Sequence, residues 1–591
     1  MEKKNIICII DCGSQYCKVI DRKLREYGYE TTIKNPNNST KKLNKFGGII
    51  ISGSPSSTNS ENIIGKKIFD NLQIPALGIC YGAQLLNHYY GGKNNKLNSR
   101  EDGQININIA NTSPIFEDIE FPQKVLLTHG DIIENLGENI EAIAISENNF
   151  ISAIQHKLMP QYGLQFHPEV DLTYCGKKIF ENFAKKCGIE KTRNTNNILA
   201  NLIEELQIYK NNIVVVLLSG GVDSAVCFAL LSKVIPKERL YGIHIDNGFM
   251  RKNESQIVYN DLIKLGGENI QIIDAGKEFI GAIIGIINPE EKRKIIGNKF
   301  MEIAEREIRK IGEKILLAQG TLRPDLIESA NNKISSGANI IKTHHNDTNI
   351  VREMRENGLI IEPLKDLHKD EVRKLAIKLG LSTKIANRHP FPGPGLAIRI
   401  LANNNIHCNC NKEIDEYKIL HINSVGVQGD MRTYAHVAVI NSPRNSINYL
   451  CENYDEIFSK VIKITNKYDF INRVVYSLTN VEEFELINLQ ISNNTIAILR
   501  EIDHIINNII EDSGIYNEIS QMPIILIPIG KNNKPSVVIR PFLTNDFMTG
   551  EVYKLSHDIL HEIQKKIMDT KLISNIFYDL TSKPPGTTEW E

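Results

Sequence analysis

The sequence has no excess of either charge, since 69 lysines and arginines stand against 70 aspartates and glutamates in 591 residues. With a formal net charge of only −1 and no basic tract, nothing in the composition favours binding to nucleic acid or to a membrane surface. The sequence also has no run of 18 or more apolar residues, so no transmembrane helix is predicted. Residues 1–4 lack the apolar core of a signal peptide.

Cysteine is scarce as well. Ten cysteines in so long a chain are too few for a disulfide scaffold, which favours a reducing, cytoplasmic location. Cys408 and Cys410 lie beside His407, but one Cys-x-Cys without a second pair only weakly suggests zinc. The Asn-rich stretches 194–197 and 403–405 predict loops, and the length predicts about three or four domains.

The most informative segment present is residues 213–225. Residues 213–218 are apolar and mostly β-branched, which is typical of a buried strand. Ser219-Gly220-Gly221 permits a tight turn and a close backbone approach to a ligand. Val222-Asp223-Ser224-Ala225 then opens a helix, whose free N–H groups and positive end suit a polyphosphate. The segment lacks the spacing and the lysine of a Walker loop, and an ordinary glycine turn is the alternative interpretation.

A second strand, turn and helix surround Cys80, which lies between Gly78 and Gly82 after the apolar run 74–79. Gly-x-Cys-x-Gly in this position is typical of a nucleophile elbow, because the glycines permit a turn that lifts the side chain out of the sheet. The helix N-terminus that follows favours a thiolate. A lone cysteine after a strand is usually a packing residue, and it is the two glycines that favour a nucleophile.

A thiol nucleophile needs a base, and His167 is the candidate. It follows a strand-like run, and in an extended chain His167 and Glu169 would point the same way. His167 could then take the proton of Cys80 while Glu169 orients the imidazole. Short apolar runs alternate with helical stretches throughout the first 190 residues, which predicts an open α/β sheet. These runs are 6–10, 48–52, 74–79, 124–127, 151–155 and 162–166.

Gly-Ile-Cys-Tyr-Gly-Ala-Gln at 78–84 and Gln-Phe-His-Pro-Glu-Val at 165–170 together resemble the class I glutamine amidotransferases. The resemblance covers about residues 5–187, including 11–16 and 128–131. It implies a flavodoxin-like, doubly wound domain and a catalytic triad of Cys80, His167 and Glu169.

The resemblance also implies an oxyanion hole formed by the backbone N–H groups of Ser54 and Tyr81. Ser54 replaces the glycine that is usual in the family. Serine would be strained there if the position required a positive φ, and the glutaminase would then be slow. We expect the oxyanion hole to work.

Ser-Gly-Gly-Val-Asp-Ser at 219–224 resembles the loop of ATP pyrophosphatases (PP-loop), which holds the β,γ-pyrophosphate of ATP. Arg-Pro-Asp-Leu-Ile-Glu-Ser at 323–329, Lys-Thr-His-His-Asn at 342–346 and His-Pro-Phe-Pro-Gly-Pro-Gly-Leu at 389–396 extend the similarity. In this order the motifs resemble the family of glutamine-hydrolysing GMP synthetases over nearly the whole chain. That family converts XMP, ATP, glutamine and water to GMP, AMP, pyrophosphate and glutamate.

The resemblance implies the remaining site residues. ATP would contact Ser219, Gly220, Gly221, Val222, Asp223, Ser224 and Ala225, and XMP would contact Arg323, Asp430, Gln521, Lys583 and Glu589. Lys342, His344 and His345 would belong to a lid over the nucleotide. Mg²⁺ would accompany ATP, with Asp223 as the nearest carboxylate, although Asp223 could instead cap the helix.

The predicted domains are an amidotransferase (1–190), a PP-loop ATP pyrophosphatase (195–400) and two C-terminal α+β lobes (401–485 and 486–591). The lobes are suggested by an internal repeat, since 471–480 and 573–582 have apolar residues at corresponding positions. Two unrelated strands of similar composition are the alternative. If the repeat is real, the lobes would pack as the partners of a bacterial dimer do, and only the second would bind XMP. The chain would be a monomer or a homodimer.

Two other functions are compatible with parts of the sequence. One is a different PP-loop enzyme, such as an NAD synthetase or a tRNA-thiolating enzyme, but the nucleophile elbow argues against both. The other is an inactive nucleotide or glutamine sensor, but Cys80, Ser219 and Lys583 are all present.

Overall fold

The computed structural model divides the chain into two compact units, Met1–Ala200 and Asn201–Glu591. The structure describes residues 3–14, 16–37, 40–60, 63–170, 172–264, 266–312, 315–323, 354, 357–403, 412–414, 417–428, 431–440, 447–479, 485–544 and 550–591. Within these ranges, side chains are not described for residues 3, 40, 96–103, 128–130, 412–413, 427–428 and 431–432. Among the helices so described, none has both the length and the apolar character needed to cross a bilayer. The division into four domains stays a prediction.

The first unit contains β1 to β9 and α1 to α4. The strands are β1 Ile7–Ile10, β2 Thr31–Lys34, β3 Gly48–Ile51, β4 Ala76–Ile79, β5 Lys93–Ile109, β6 Gln123–Asn135, β7 Ile140–Ser146, β8 Ile151–His156 and β9 Gln161–Leu164. The helices are α1 Cys17–Glu26, α2 Thr40–Leu43, α3 Tyr81–Tyr89 and α4 Gly176–Lys186.

These strands form one sheet in the order β2-β1-β3-β4-β9-β8-β7-β5-β6. The first five strands run parallel to one another. The other four continue the sheet, and each of them pairs antiparallel with the strand before it. Successive residues of β1 enter different cores: Ile7 and Ile9 pack with α1 and α4, whereas Cys8 and Ile10 pack with α3. Burial on both faces explains why the parallel strands are continuously apolar. The predicted doubly wound α/β fold is confirmed.

Two local predictions for this region need correction. Only residues 124–127 of the long hairpin β5–β6 were predicted to be a strand. The hairpin lies at the edge of the sheet, and its polar residues do not show the apolar pattern of a buried strand. The stretch 194–197 is not a loop but the start of α5, Thr195–Leu206. The side chain of Asn194 accepts hydrogen bonds from the backbone N–H groups of Asn196 and Asn197 at 3.1 Å. Asparagine is a good helix N-cap, which explains the difference.

The second unit contains the remaining elements. Its strands are β10 Ile213–Leu217, β11 Leu240–Asp246, β12 Asn269–Asp274, β13 Ile315–Ala318, β14 Ile360–Ile361, β15 Lys412–Ile414, β16 Tyr417–Gln428, β17 Met431–Ile440, β18 Ile471–Ser477, β19 Glu485–Leu486, β20 Ile524–Lys531, β21 Lys534–Ile539, β22 Phe542–Leu543, β23 Glu551–Val552 and β24 Ile576–Asp579. Its helices are α6 Val222–Leu231, α7 Glu254–Lys264, α8 Gly276–Ile283, α9 Pro289–Ile311, α10 Lys369–Lys378, α11 Thr383–Ala386, α12 Ile447–Glu452, α13 Tyr454–Lys467, α14 Asn493–Asp512 and α15 His557–Asp569.

Five parallel strands of the second unit form a sheet in the order β12-β11-β10-β13-β14. Their carboxyl ends share one edge, and the connection from β10 to α6 leaves the sheet at its centre. In open parallel sheets, ligands bind at this edge, at the point where the strand order reverses. The predicted strand and helix on either side of Ser219-Gly220-Gly221 are present.

The C-terminal part of this unit is built on one sheet, in the order β15-β16-β17-β18-β24-β21-β20-β19. Strands β16 and β17 form an antiparallel hairpin, and β18 joins β17 in parallel after α13. Strands β20 and β21 form a second hairpin, and β24 joins β21 in parallel after α15. Each half therefore has the same order of two strands, helix and strand, and the halves meet at the antiparallel pair of β18 and β24. The internal repeat is present as a single continuous sheet.

Candidate functional site

The carboxyl ends of β3, β4 and β9 bring three loops of the first unit together. Ile51 of β3 pairs with Gly78 of β4, and Ile79 pairs with Leu164 of β9, all in parallel register. Cys80 therefore follows one strand at the same edge where residues 165–169 follow its neighbour. The backbone N–H of Cys80 donates to the carbonyl of Leu164 at 2.6 Å, which ties the two loops together.

Cys80 occupies a strained backbone conformation, with φ 53° and ψ −105°, immediately before α3. A residue with a Cβ is rarely found there, and such strain is typical of a nucleophile elbow. The flanking glycines are required by space, because a Cβ on Gly78 would lie 2.3 Å from the backbone of Gly82. A Cβ on Gly82 would lie 2.5 Å from the carbonyl oxygen of Ile51. The predicted elbow geometry is present.

His167 and Glu169 form a buried pair, with 2.8 Å between Nδ1 of the imidazole and Oε1 of the carboxylate. They lie on a turn after β9 and not on the extended strand that the sequence suggested. Burial lowers the pKa of His167, but the charge of Glu169 and hydrogen bonds with Cys80 and Glu169 outweigh it and raise that pKa to about 10. The structure thus brings Cys80, His167 and Glu169 into one hydrogen-bonded series.

The loop that holds Ser54 lies beside Cys80. A Cβ on Gly53 would come within 3.8 Å of Cys80 Cβ and 3.3 Å of the hydroxyl of Ser14. Ser54 does not adopt a positive φ, so serine at this position carries no left-handed backbone strain. Its hydroxyl accepts a hydrogen bond from the N–H of Ser56 at 3.1 Å. The conformational objection to a serine in the oxyanion loop does not apply.

Two residues near the triad were not identified from the sequence. The ring of Tyr16 lies against the imidazole of His167, with 4.6 Å between ring centroids. The amide of Gln165 lies 3.8 Å from Cys80 Sγ. Tyr16 and Gln165 both belong to quoted motifs, but side-chain contacts across loops leave no periodic signal in the sequence.

Several other cysteines of the first unit lie in an unreactive environment. Burial raises the pKa of Cys8 and of Cys12 to about 12 and that of Cys175 to about 11. Thiols that remain protonated are poor nucleophiles. Cys80, in contrast, is partly exposed and bonded to a histidine.

In the second unit, the loop from β10 to α6 is stabilised by its own serines. The hydroxyl of Ser224 donates to the carbonyl of Gly221 at 3.0 Å and accepts from the N–H of Ser219 at 3.2 Å. Gly220 has φ +81°, which a glycine adopts without strain. The N-terminus of α6 thus follows the carboxyl end of β10 directly, which is the position predicted for a phosphate site.

Asp223 does not cap α6. The N-cap is Gly221, which has no side chain with which to cap the helix. Instead, Oδ2 of Asp223 lies 2.6 Å from the ammonium group of Lys369, the first residue of α10. Oδ1 of Asp223 is buried and has no hydrogen-bond partner among the described residues. Lys369 thus contacts residues 219–225 from a distant part of the chain.

Arg388 contacts the loop between β10 and α6, and Gly320 contacts the start of α6, both from other parts of the chain. Arg388 donates to the carbonyl of Gly220 at 2.7 Å and forms an ion pair with Glu254. Gly320, after β13, packs so closely on α6 that a Cβ there would lie 2.9 Å from the backbone of Asp223. The neighbouring strand ends of the sheet therefore hold this loop in place.

The residues assigned to XMP fall into separate groups. Gln521 and Lys583 are linked through Phe542 and Gly550, because Gln521 bridges to Phe542 and Gly550 bridges to Lys583. A Cβ on Gly550 would lie 2.2 Å from the ring of Phe542, which shows how closely these segments pack.

Glu589 and Arg323 are held by other partners. Glu589 forms a bidentate ion pair with the buried Arg399, at 2.8 and 3.1 Å. Arg323, after β13, lies 3.2 Å from Asp366. Asp430, Lys342, His344 and His345 lie outside the described residues.

The segment around Glu589 is fixed by a buried ionic cluster. Arg473 of β18 donates to the carbonyl of Glu589 and to the backbone and hydroxyl oxygens of Thr587. Asp579 of β24 contacts Arg473 and Arg540 at 2.9 Å and accepts from the indole N–H of Trp590 at 2.8 Å. The first lobe of the repeat thus holds the last segment of the second.

Comparisons with known proteins agree with this geometry. Residues 8–187 match the family model "Glutamine amidotransferase class-I", and residues 508–590 match the model "GMP synthase C terminal domain". A doubly wound unit with a cysteine elbow beside a His–Glu pair defines a class I glutamine amidotransferase, and here a second, parallel α/β sheet follows it in the chain.

Relatives identify the family. A GMP synthase (glutamine-hydrolysing) of Dictyostelium discoideum is 39% identical over 99% of this chain and 94% of its own length. A probable GMP synthase of the bacterium Leptospira interrogans is 36% identical over 99% of both chains. The enzyme of Campylobacter hominis is 39% identical over 81% of this chain and 98% of its own. The chain belongs to the glutamine-hydrolysing GMP synthases, which are ATP-dependent carbon–nitrogen ligases, and the predicted class of enzyme is confirmed.

Proposed function

We propose that this chain converts XMP to GMP with nitrogen from glutamine, using Cys80 for glutamine hydrolysis and the loop 219–225 for ATP. The observation that carries the proposal is the hydrogen-bonded series of Cys80, His167 and Glu169 at the strained elbow. A partly exposed nucleophile followed by a buried base and a buried orienting carboxylate is the arrangement that acyl transfer needs.

At the first site, the sulfur of Cys80 attacks the side-chain carbonyl carbon of glutamine. The backbone N–H groups of Ser54 and Tyr81 stabilise the oxyanion that forms. His167 carries a proton near neutral pH, because its pKa is about 10, and it gives that proton to the departing amine. Ammonia leaves, and a water molecule activated by His167 then hydrolyses the thioester to glutamate.

At the second site, the N–H groups of residues 219–225 hold the β,γ-phosphates of ATP. The C2 oxygen of XMP attacks the α-phosphorus, pyrophosphate leaves, and adenyl-XMP is formed. Ammonia then attacks C2 and displaces AMP, which keeps the former C2 oxygen. Lys369 and Arg388 border this loop, and their charges favour the triphosphate.

Mg²⁺ bound with ATP would offset the repulsion between phosphate oxygens. Asp223 Oδ1, which is buried and has no hydrogen-bond partner among the described residues, suits this role. In the described part of the chain no group of three or more metal-binding side chains occurs. A single carboxylate plus substrate phosphates is the usual way in which proteins hold this ion.

XMP would contact Gln521 and Lys583, whose segments pack together through Phe542 and Gly550, and the family resemblance adds Glu589 and Arg323. A lysine suits the nucleotide phosphate, and amide and carboxylate groups suit the ribose or the base. Asp430 and the lid residues Lys342, His344 and His345 remain assignments from the family resemblance. We place the reaction in the cytoplasm, since the described cysteines are free thiols.

The test compares glutamine with ammonium as nitrogen donor, in the presence of XMP and Mg-ATP. Cys80→Ala should abolish GMP formation from glutamine and retain it from ammonium, whereas Ser219→Ala should damage both. We also expect glutamate release to depend on ATP and XMP, so equal release without them would refute coupling of the sites. Failure to form pyrophosphate from XMP and ATP, even in concentrated ammonium, would refute the proposal as a whole.

A further inference from the structure

We propose that Gln165 is a further catalytic residue, which donates a hydrogen bond to the sulfur of Cys80 during glutamine hydrolysis. The proposal rests on the role proposed for Cys80 above. Gln165 follows β9 immediately before Phe166 and His167, and its side chain is almost completely buried, with 1% exposed. Its Nε2 lies 3.8 Å from Cys80 Sγ, within the range of an N–H to sulfur hydrogen bond.

The orientation of the Gln165 amide is fixed by a second buried amide, that of Gln84 in α3. Gln84 Nε2 donates to the backbone carbonyl of Asp131 at 2.9 Å. A backbone carbonyl can only accept, so this end of Gln84 must be its NH₂ group. The same NH₂ group lies 3.3 Å from Oε1 of Gln165. Gln165 must then present its oxygen to Gln84 and its NH₂ group to Cys80.

This polarity decides what Gln165 does to the sulfur. An N–H group stabilises a thiolate more than a thiol, because a hydrogen bond to a charged acceptor is stronger than one to a neutral acceptor. Water competes weakly, since Gln84 is also almost completely buried, with 4% exposed. Gln165 therefore stabilises the sulfur as a nucleophile and again as the leaving group when the thioester is hydrolysed. His167, by contrast, moves the proton.

Gln165 differs from an ordinary buried polar residue in this respect. Gln161, four residues earlier in the same strand and loop, is equally buried at 1%. Its Oε1 accepts a hydrogen bond from the hydroxyl of Tyr90 at 2.9 Å, and no contact connects it to Cys80. Gln161 therefore provides a matched control for the loss of a buried amide.

The experiment uses the full chain with Gln165→Met, Gln165→Glu and Gln161→Met. Methionine keeps the length of the side chain and removes the donor, and glutamate keeps the shape but offers an acceptor. We expect kcat for glutamine-dependent GMP formation to fall by between about tenfold and about a hundredfold in both Gln165 variants, the range for losing one hydrogen bond to a charged group. The KM for glutamine should change less, and Gln161→Met should resemble the parent enzyme.

A second readout is the rate at which iodoacetamide inactivates glutamine-dependent synthesis, which should slow in the Gln165 variants and not in Gln161→Met. Ammonium-driven synthesis reports folding of the rest of the chain. Should Gln165→Met prove misfolded by circular dichroism or thermal unfolding, Gln165→Glu decides alone. A kcat and an alkylation rate within twofold of the parent would overturn the role of Gln165. If Cys80→Ala also retains glutamine-dependent activity, the proposed function itself has failed.

Discussion

Tyr476 of β18 lies directly opposite Tyr578 of β24 in the antiparallel pair at the centre of the eight-stranded sheet. These are also the residues that the internal repeat places at equivalent positions. The two flanking pairs are Val475 with Asp579 and Ser477 with Phe577, and the repeat exchanges one pair with the other because it makes 475 equivalent to 577 and 477 equivalent to 579. A strand pair in which equivalent residues face each other has a local twofold axis, as two identical subunits of a dimer would.

This internal axis predicts that the protein is a monomer. The strand edges that would pair in a dimer built on this sheet are already paired within one chain by β18 and β24. We expect the mass of one chain in light scattering at the concentrations used for activity assays. A dimer that persists on dilution and loses activity when it dissociates would contradict this expectation.

The buried cluster around Asp579 predicts a large loss of stability in Asp579→Asn. Burial raises the pKa of Asp579, but Arg540 and Arg473 outweigh burial and lower it, so the carboxylate is charged. Removing that charge leaves two buried guanidinium groups uncompensated, which costs about 3 to 5 kcal/mol. Among the described residues, several nitrogens of these arginines already lack hydrogen-bond partners, so no spare acceptor is at hand.

Denaturant unfolding of the full chain, followed by the fluorescence of Trp590, measures this loss. Asp558→Asn is the control, because the Asp558 side chain is 99% exposed and its substitution should change stability by less than about 0.5 kcal/mol. Equal denaturation midpoints for the two variants would show that the cluster around Asp579 contributes nothing to the stability of the fold.

The sequence predicted the catalytic contacts because strand ends in a parallel sheet are ordered by simple rules. Cys80 and His167 each follow an apolar run, and adjacent parallel strands bring such positions to one edge. The same reasoning located residues 219–225. It failed for the turn that holds Glu169, because the two-residue spacing fits both a strand and a turn.

Contacts between distant side chains were not predictable in this way. Lys369 reaches Asp223 across 146 residues, and a lysine at the start of a helix is most often solvated. The hydrogen bonds that Arg473 donates to the segment around Glu589 depend on the twofold arrangement of the lobes. The sequence repeat suggested this arrangement only as one of two alternatives. Such contacts follow from the assembled fold and have no signature of their own.

The raised pKa of His167 predicts an unusual pH dependence of glutamine hydrolysis. Burial lowers that pKa, but Glu169 and Cys80 raise it to about 10. The protonated imidazole is needed to protonate the amino group of the tetrahedral intermediate, which then leaves as ammonia. This form of His167 is present at neutral pH and is lost as the pH rises through about 10. We expect the alkaline limb of glutaminase kcat near pH 10, and Glu169→Gln should move it to lower pH.

Initial rates of glutamate release between pH 6 and 11 test this, with Glu169→Gln and the parent enzyme compared at each pH. The control is Glu181→Gln, since Glu181 is paired with Lys191 at 2.8 Å on the surface of the same unit. An alkaline limb that stays in place in Glu169→Gln would show that Glu169 does not set the charge of His167.

The ion pair of Lys369 with Asp223 predicts that Lys369→Met damages ATP use. Its ammonium group lies at the start of α6, where the phosphates are expected, and losing a charged hydrogen bond there should cost about tenfold or more in kcat/KM for ATP. Both nitrogen donors should be affected equally. Lys365→Met is the control, because Lys365 is exposed on the preceding turn. If activity were lost with glutamine but retained with ammonium, Lys369 would act in the coupling of the two sites rather than in ATP binding.

The backbone around Cys80 predicts opposite results for two small substitutions. Ser54→Gly should change the glutaminase rate by less than about twofold, because Ser54 has no positive φ to relieve. Gly82→Ala should abolish glutamine-dependent synthesis, because the new Cβ would lie 2.5 Å from the carbonyl oxygen of Ile51 and the elbow would have to move. Displacing the nucleophile by about an ångström can cost a hundredfold in rate. Ammonium-driven synthesis should survive in both variants, so a large gain in Ser54→Gly would mean that the serine does restrain the oxyanion hole.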